Sequence, residues 1–362
     1  MSSAVPAYLT ELLRTPLGRR VIRVSNPPKS WSILEVHGIA DYSYSLRYSD
    51  PWAMLEFAKL ACTLAEALGR RGSQGAEYED ACAVAWTQLG NANKVVARFR
   101  AADNAFGQAR LHLDKGSGNP DLIANFWELF AGLRRNQRRF EEAADALRLS
   151  QEYRERAGKI EGLAKCLISQ AINYSYTPDP EKAVERAQMA VRLLPGDADP
   201  KLIYSAVHTL VFNLVDAGRP DEAAECLLEA EELLDSQKDP LLAARRTWLR
   251  AHLDVAFGLA SAEVHFKKAA RTFERYSMHY EQAQVLLQLA LFYCAKNRDR
   301  ELDETLDAIL PVFKVLGIRR EALMCRLLAR VPRQRREVQR ATLMRLFLLM
   351  RHSPPPPRRT GN

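Results

Sequence analysis

A chain of 362 residues is longer than one compact core usually grows, so it holds either two domains or one elongated array. Hydrophobic residues at 47% and charged residues at 27% are ordinary globular values and exclude global disorder, while 17 Gly and 18 Pro are few for a turn-rich β protein. The formal net charge of +8 is concentrated at one end, where twelve Arg from Arg319 onward face only Glu321 and Glu337, which leaves the preceding chain close to neutral.

The first twenty residues lack the unbroken apolar core of a secretory signal, because Glu11 and Arg14 interrupt it. No stretch approaches a membrane span in length and hydropathy, so a cytoplasmic protein is the expectation. Asn26-Pro27-Pro28 breaks the chain, which makes residues 1–30 a short helix and a linker. A first helix pair runs from Trp31 to about Ala67 and is split near Ser49-Asp50-Pro51.

Self-similarity then takes over. Trp86-x-x-Leu89-Gly90 is followed by Ala102, Phe106 and Ala109, and Trp127-x-x-Phe130-Ala131 by Ala143, Leu147 and Ser150. Further triplets are Ala183, Ala187, Ala190; Ala223, Leu227, Ala230; Ala262, Phe266, Ala269; and a degraded Leu302, Leu306, Ile309. The first members are spaced by 41, 40, 40, 39 and 40 residues. Small residues flanking a large one let two helices approach closely while the large side chain fills the space between them. Breakers fall between units at Gly116-Ser117-Gly118-Asn119-Pro120, Pro195-Gly196-Asp197 and Asp239-Pro240, and a short turn with Pro near the first helical position falls within one at Ala217-Gly218-Arg219-Pro220. Beyond the array come helices at Glu321–Leu328 and Glu337–Arg351, then an extended Pro-rich run.

The pattern W-x-x-L-G…A-x-x-x-F-x-x-A resembles the tetratricopeptide repeat superfamily, over roughly residues 30–330. Asn93 stands where that superfamily usually has Tyr, and the unit exceeds its usual length. The layout is similar to a group of uncharacterised bacterial tetratricopeptide proteins, on the strength of Ser49-Asp50-Pro51, the Arg-rich turn from Arg134 to Phe140 and the stretch from Leu316 to Ala322. The resemblance implies an all-α, right-handed superhelical solenoid of antiparallel helix pairs over residues 31–330, with a basic helix and tail at 331–362. It also implies a non-enzymatic scaffold or adaptor that binds a protein or peptide on a concave face, with no catalytic residues.

The residues themselves agree. There is no phosphate-binding loop, no dinucleotide fingerprint and no His-Glu-x-x-His helix, so no cofactor is expected. The six cysteines are scattered, with no Cys-x-x-Cys pair, and read as reduced, buried small hydrophobes. On the first helices of the units, Asn91, Lys94, Asn125, Glu128, Arg135, Lys165 and His208 read as exposed groove positions, where Asn and Lys would grip a peptide backbone or carboxylate. The same positions turn apolar later, as at Phe212, Leu287 and Leu291, which reads as core. The C-terminal arginines, among them Arg333, Arg335, Arg336 and Arg340, have two readings. They contact nucleic-acid phosphate, as a regulator would, or they solubilise a helix that caps the array through Leu346 to Leu349. The cap is the favoured reading, because no aromatic–basic interleaving points to base recognition.

Overall fold

The computed structural model describes residues 6–47, 50–234, 239–316, 325 and 336–351, and among these the regular elements are helices, with no strand. Two compact units divide after Gly158. The first contains α1 (Ala7–Arg14), α2 (Leu17–Ser25), α3 (Ile33–Ser45), α4 (Pro51–Arg70), α5 (Ala76–Val95), α6 (Phe99–Leu113), α7 (Pro120–Asn136) and α8 (Phe140–Ala157). The second contains α9 (Ile160–Tyr174), α10 (Pro180–Leu193), α11 (Pro200–Asp216), α12 (Pro220–Leu234), α13 (Pro240–Ala256), α14 (Ser261–Arg275), α15 (His279–Ala295), α16 (Asp299–Leu316) and α17 (Arg336–Arg351). From α5 onward the helices pair in sequence, an A helix and then a B helix: α5 with α6, α7 with α8, α9 with α10, and so on to α15 with α16.

All eighteen residues of the six triplets are buried, none more than 4% exposed. Their partners on the A helices are Gly90, Ala131, Ala171, Val211, Ala251 and Ala290, all buried. At Gly90 the approach is tight: a Cβ built there would lie 2.8 Å from the Phe106 ring. Backbone and aromatic ring meet with no room for a methyl group.

Helix starts are written in the chain as Asp-Pro or Asn-Pro. Asp50, Asn119, Asp179, Asp199 and Asp239 each cap a helix whose first residue is Pro, and each carboxylate or amide oxygen accepts a backbone N–H of the first turn, at 2.8–3.2 Å. Proline sacrifices no hydrogen bond there, since that N–H has no helical partner.

Turns from A to B helices repeat just as closely. At Ala97, Arg138, Gly218, Gly258 and Asn297 the backbone takes a left-handed conformation, φ 57°–75°. The next N–H reaches back five residues to a carbonyl, as in Arg98 to Asn93, Arg139 to Arg134, Arg219 to Leu214 and Arg298 to Tyr293. This is the Schellman ending, and it favours glycine because a Cβ crowds the carbonyl. Arg139, Arg219 and Arg298 then pair with a glutamate three residues on, Glu142, Glu222 and Glu301. Arg219 also reaches Glu181 at 2.8 Å, and Arg298 reaches Glu263 at 2.5 Å, each at the start of the preceding B helix. These largely exposed pairs contribute little energy individually, but they set the register of one repeat on the next.

Residues 6–30 hold more structure than the sequence suggested. Two helices form instead of one helix and a linker, because Leu9, Leu12 and Val24 share an apolar face that packs with Trp31, Ile39 and Phe57. Arg20 ties α2 to α4 through Glu56 at 3.1 Å. At the other end, α17 packs on α15 through buried Leu343, Leu346 and Phe347, while Arg340 and Arg345 stay exposed. The expected helix at Glu321–Leu328 lies outside the described residues but for Cys325, as does the Pro-rich run.

Two substitutions test the packing and the turn separately. Gly90→Ala lowers stability by about 1–2 kcal/mol, because the clash with Phe106 outweighs the better helix propensity of Ala. Arg138→Gly raises stability by about 0.5–1 kcal/mol by relieving the left-handed strain. Urea denaturation midpoints measure both.

Candidate functional site

The A helices carry an unusual number of buried polar side chains. In the second unit, three of them line up. Tyr204, His208 and Phe212 follow at intervals of four along one stripe of α11, Arg245, Trp248 and His252 share a stripe of α13, and Glu281, Gln284 and Gln288 do so on α15. Phe212 stacks on His252 at 4.0 Å between ring centroids, and His208 lies 4.6 Å from Phe212 and 5.6 Å from Trp248. The Trp248 indole N–H donates to Gln288 Oε1, and Gln288 Nε2 meets His252 Nδ1 at 3.1 Å. Arg245 pairs with Glu281 at 3.3 Å beside the cluster.

Layering follows from exposure. Tyr204, Phe212, Trp248, Gln284 and Gln288 are buried, while His208, Arg245, His252 and Glu281 remain half-exposed above them. The Tyr204 hydroxyl is buried without a hydrogen-bond partner, and burial pushes its pKa up, with Arg245 opposing and Glu281 adding to the shift.

The first unit has a different face. Lys94 on α5 is half-buried, and its Nζ lies 3.0 Å from where a Cβ would stand on Gly132 of α7. Loss of solvation, with the like charges of Arg135 and Arg47, lowers its pKa to about 7, against a weaker opposing pull from Glu128. Glu128 is engaged by Arg154 at 3.3 Å, which also holds Asp121 at 3.2 Å. No hydrogen bond or ion pair to Lys94 exists among the described residues. A half-buried ammonium without a counter-ion is costly to retain.

The predicted groove residues fare unequally. Asn91 was read as exposed and is instead 2% exposed, its amide facing Gln88 Oε1 at 3.5 Å across one turn of α5. An A helix is covered by its own B helix and by neighbouring A helices, so a polar residue there need not meet water. Asn125, Glu128 and Arg135 are half-buried on α7, Lys165 is exposed on α9, and His208 is half-buried in the aromatic cluster. Lys94 and Arg135 are brought together in the first unit; Lys165 does not join the cluster around His208. Phe212 and Leu287 are core, and Leu291 is half-buried against it. Of the C-terminal arginines, Arg333 and Arg335 lie outside the described residues, Arg336 begins α17, and Arg340 is exposed on it. Sequence reading missed Tyr204, Trp248, His252 and Gln288, although Tyr204 lies one turn before His208, Trp248 one repeat and Gln288 two repeats after it, and His252 one turn beyond Trp248.

No family model matches the sequence, and no curated protein matches it significantly. Solved structures do resemble it. A Rap protein complexed with competence and sporulation factor is 15% identical with a TM-score of 0.55, over 88% of this chain and 98% of that one. The apo form of RapI is 12% identical with a TM-score of 0.61, over 77% and 98% respectively. Aspartyl phosphate phosphatase F from Bacillus subtilis is 9% identical with a TM-score of 0.55, over 96% of each chain. The fold is a tetratricopeptide-like helical repeat. Among the described residues no helix is long and apolar enough to cross a membrane.

The state of Lys94 gives a testable sign. Its folded-state pKa lies below the unfolded value, so its destabilising effect is fully present below about pH 7 and fades as pH rises toward the ordinary lysine range. Lys94→Met therefore stabilises the protein by about 1–3 kcal/mol at pH 6. That gain shrinks steadily up to pH 10, as read from denaturation midpoints in buffer free of multivalent anions.

Proposed function

We propose that this chain is a non-catalytic binding protein that holds an extended segment of a partner protein against its A helices, with the α11–α13–α15 face of the second unit as a principal contact. The observation that carries this reading is the Tyr204 hydroxyl, buried and unpartnered beneath half-exposed His208 and beside the Arg245–Glu281 pair. Its desolvation cost is already met in the free protein, so a peptide carbonyl that reaches it gains a hydrogen bond at little further cost. The aromatic and imidazole rings around it offer rigid area with polar edges, the composition that dominates binding hot spots. Arg245 and Glu281 together supply both signs of charge at the rim, suited to orienting a segment.

The fold supports the same reading. A solenoid repeat exposes one helix of each pair along a continuous face, and extended segments bind such faces through backbone hydrogen bonds and side-chain pockets. One protein of like fold is solved in complex with competence and sporulation factor. Trp248, Gln288 and His252 are tied to one another, which suits a rigid binding surface better than groups poised to transfer protons.

Random peptides displayed on phage and selected on the full-length protein provide the test. Selected peptides lose about tenfold in affinity on His208→Ala and on Arg245→Ala, the scale of a hot-spot truncation, while the denaturation midpoint of each variant stays near that of the parent. Peptides that bind both variants undiminished, or a selection that yields none, would overturn the assignment.

A further inference from the structure

Helix α2 is inverted: its inward side carries two arginines and its outward side is apolar. Arg20 pairs with Glu56 at 3.1 Å and lies over the Phe57 ring at 5.3 Å. Arg23 pairs with Glu11 at 2.5 Å and lies over the Trp31 ring at 5.6 Å. With buried Val24 these two side chains form the side that packs on the protein. The helical period sends Val21 and Ile22 to the other side, where they are 51% and 63% exposed. Leu17, at the helix start, is 66% exposed. Water favours the reverse arrangement, since inward guanidinium groups lose hydration and outward apolar side chains gain no burial. The pattern becomes favourable once something apolar covers the outward side.

The surroundings indicate what covers it. Arg14, Arg19 and Lys29 are exposed and form no ion pair among the described residues. Between residues 6 and 30 the only acid is Glu11, which Arg23 engages. Arg14 and Arg19 line an open crevice of about 650 Å³ at the corner between α1 and α2, together with Thr10, Thr15 and that same Glu11. A second copy of the chain, docked through α2, would set these cations against their own equivalents. A bilayer with anionic lipid meets both features at once, offering acyl chains to Leu17, Val21 and Ile22 and headgroup phosphates to the arginines.

We propose that α2 is a membrane-surface anchor, whose outward side enters the interface of an anionic bilayer while Arg14 and Arg19 contact lipid phosphates. A helix of 9 residues lies along such a surface and does not cross it. Three apolar side chains and a few cations give reversible attachment that weakens as salt rises. The α11–α13–α15 face takes no part in this attachment, so the anchor and the segment-binding reading stand or fall separately.

Flotation of the full-length protein with vesicles tests it, using phosphatidylcholine alone or with phosphatidylglycerol as a third of the lipid. The protein floats with the anionic vesicles and about tenfold less with the neutral ones. The C-terminal arginines also attract anionic lipid, so variants of α2 carry the decision. Ile22→Glu lowers partition by about tenfold, and Arg14→Gln and Arg19→Gln lower it by about fivefold each. Val264→Glu, which alters an exposed apolar residue of the second unit, leaves it unchanged. Denaturation midpoints of all four variants stay near that of the parent, because none of these side chains is buried. No flotation, or flotation that Ile22→Glu leaves intact, overturns the anchor. Equal flotation with both kinds of vesicle removes the arginines from the site and overturns the proposal as stated. Equilibrium sedimentation tests the competing occupant: a dimer that Ile22→Glu dissociates assigns the face to a second copy and overturns the membrane.

Discussion

Close approach of two helices within each repeat is the constraint from which the remaining structure follows. Gly90 against Phe106 shows it directly, with no space for a methyl group between backbone and ring. Alanines 131, 171, 251 and 290 are buried at the matching positions of later A helices, and the buried triplets of the B helices form the other side. Once two helices are drawn this near, their connection must be short, and a short connection imposes the left-handed turn that recurs from Ala97 to Asn297. A single pair buries only part of its apolar surface, so each needs a neighbour, and stacking continues until something different covers the end. The second unit finishes with α17, whose Leu343, Leu346 and Phe347 lie on α15.

Much of this was legible in the chain because it depends on local chemistry with a fixed period. Asp-Pro and Asn-Pro starts, the triplets and the Gly-Arg-Pro turn each report a geometry that a few neighbouring residues enforce. The amino-terminal helices were harder to see. Leu9, Leu12 and Val24 are few, and the break at Asn26-Pro27-Pro28 reads as the end of a linker until the apolar surface of α4 is available to receive them. Local signals gave one short helix; tertiary burial supports two.

The binding face was legible in its location but not in its depth. Polarity at Asn91 suggested exposure, yet that residue is buried, because an A helix has several packed neighbours and little surface left over. Burial on such a helix does not sort by polarity. Polar residues on such a helix need not be wet, and apolar ones such as Phe212 need not be only core, since Phe212 forms the floor on which His252 stacks. What single positions cannot reveal is which side chains from different repeats end up facing one another. Trp248 and Gln288 are forty residues apart and hydrogen-bonded.

Stacked repeats bring equivalent positions together, and the consequence depends on what occupies them. Asn91, Gly132, Phe212 and His252 stand at one such position, six residues before the left-handed turn residue of their units. Where the residues are Phe212 and His252, juxtaposition gives a ring stack and a surface fit for a peptide. Where one is Gly132, it opens a notch, and Lys94 from the unit before enters it beside Arg135, its own counterpart. Like beside like is favourable for rings and unfavourable for cations. Lys94 carries the cost of that arrangement, and replacing such a half-buried charge with an apolar group of similar volume is neutral or stabilising.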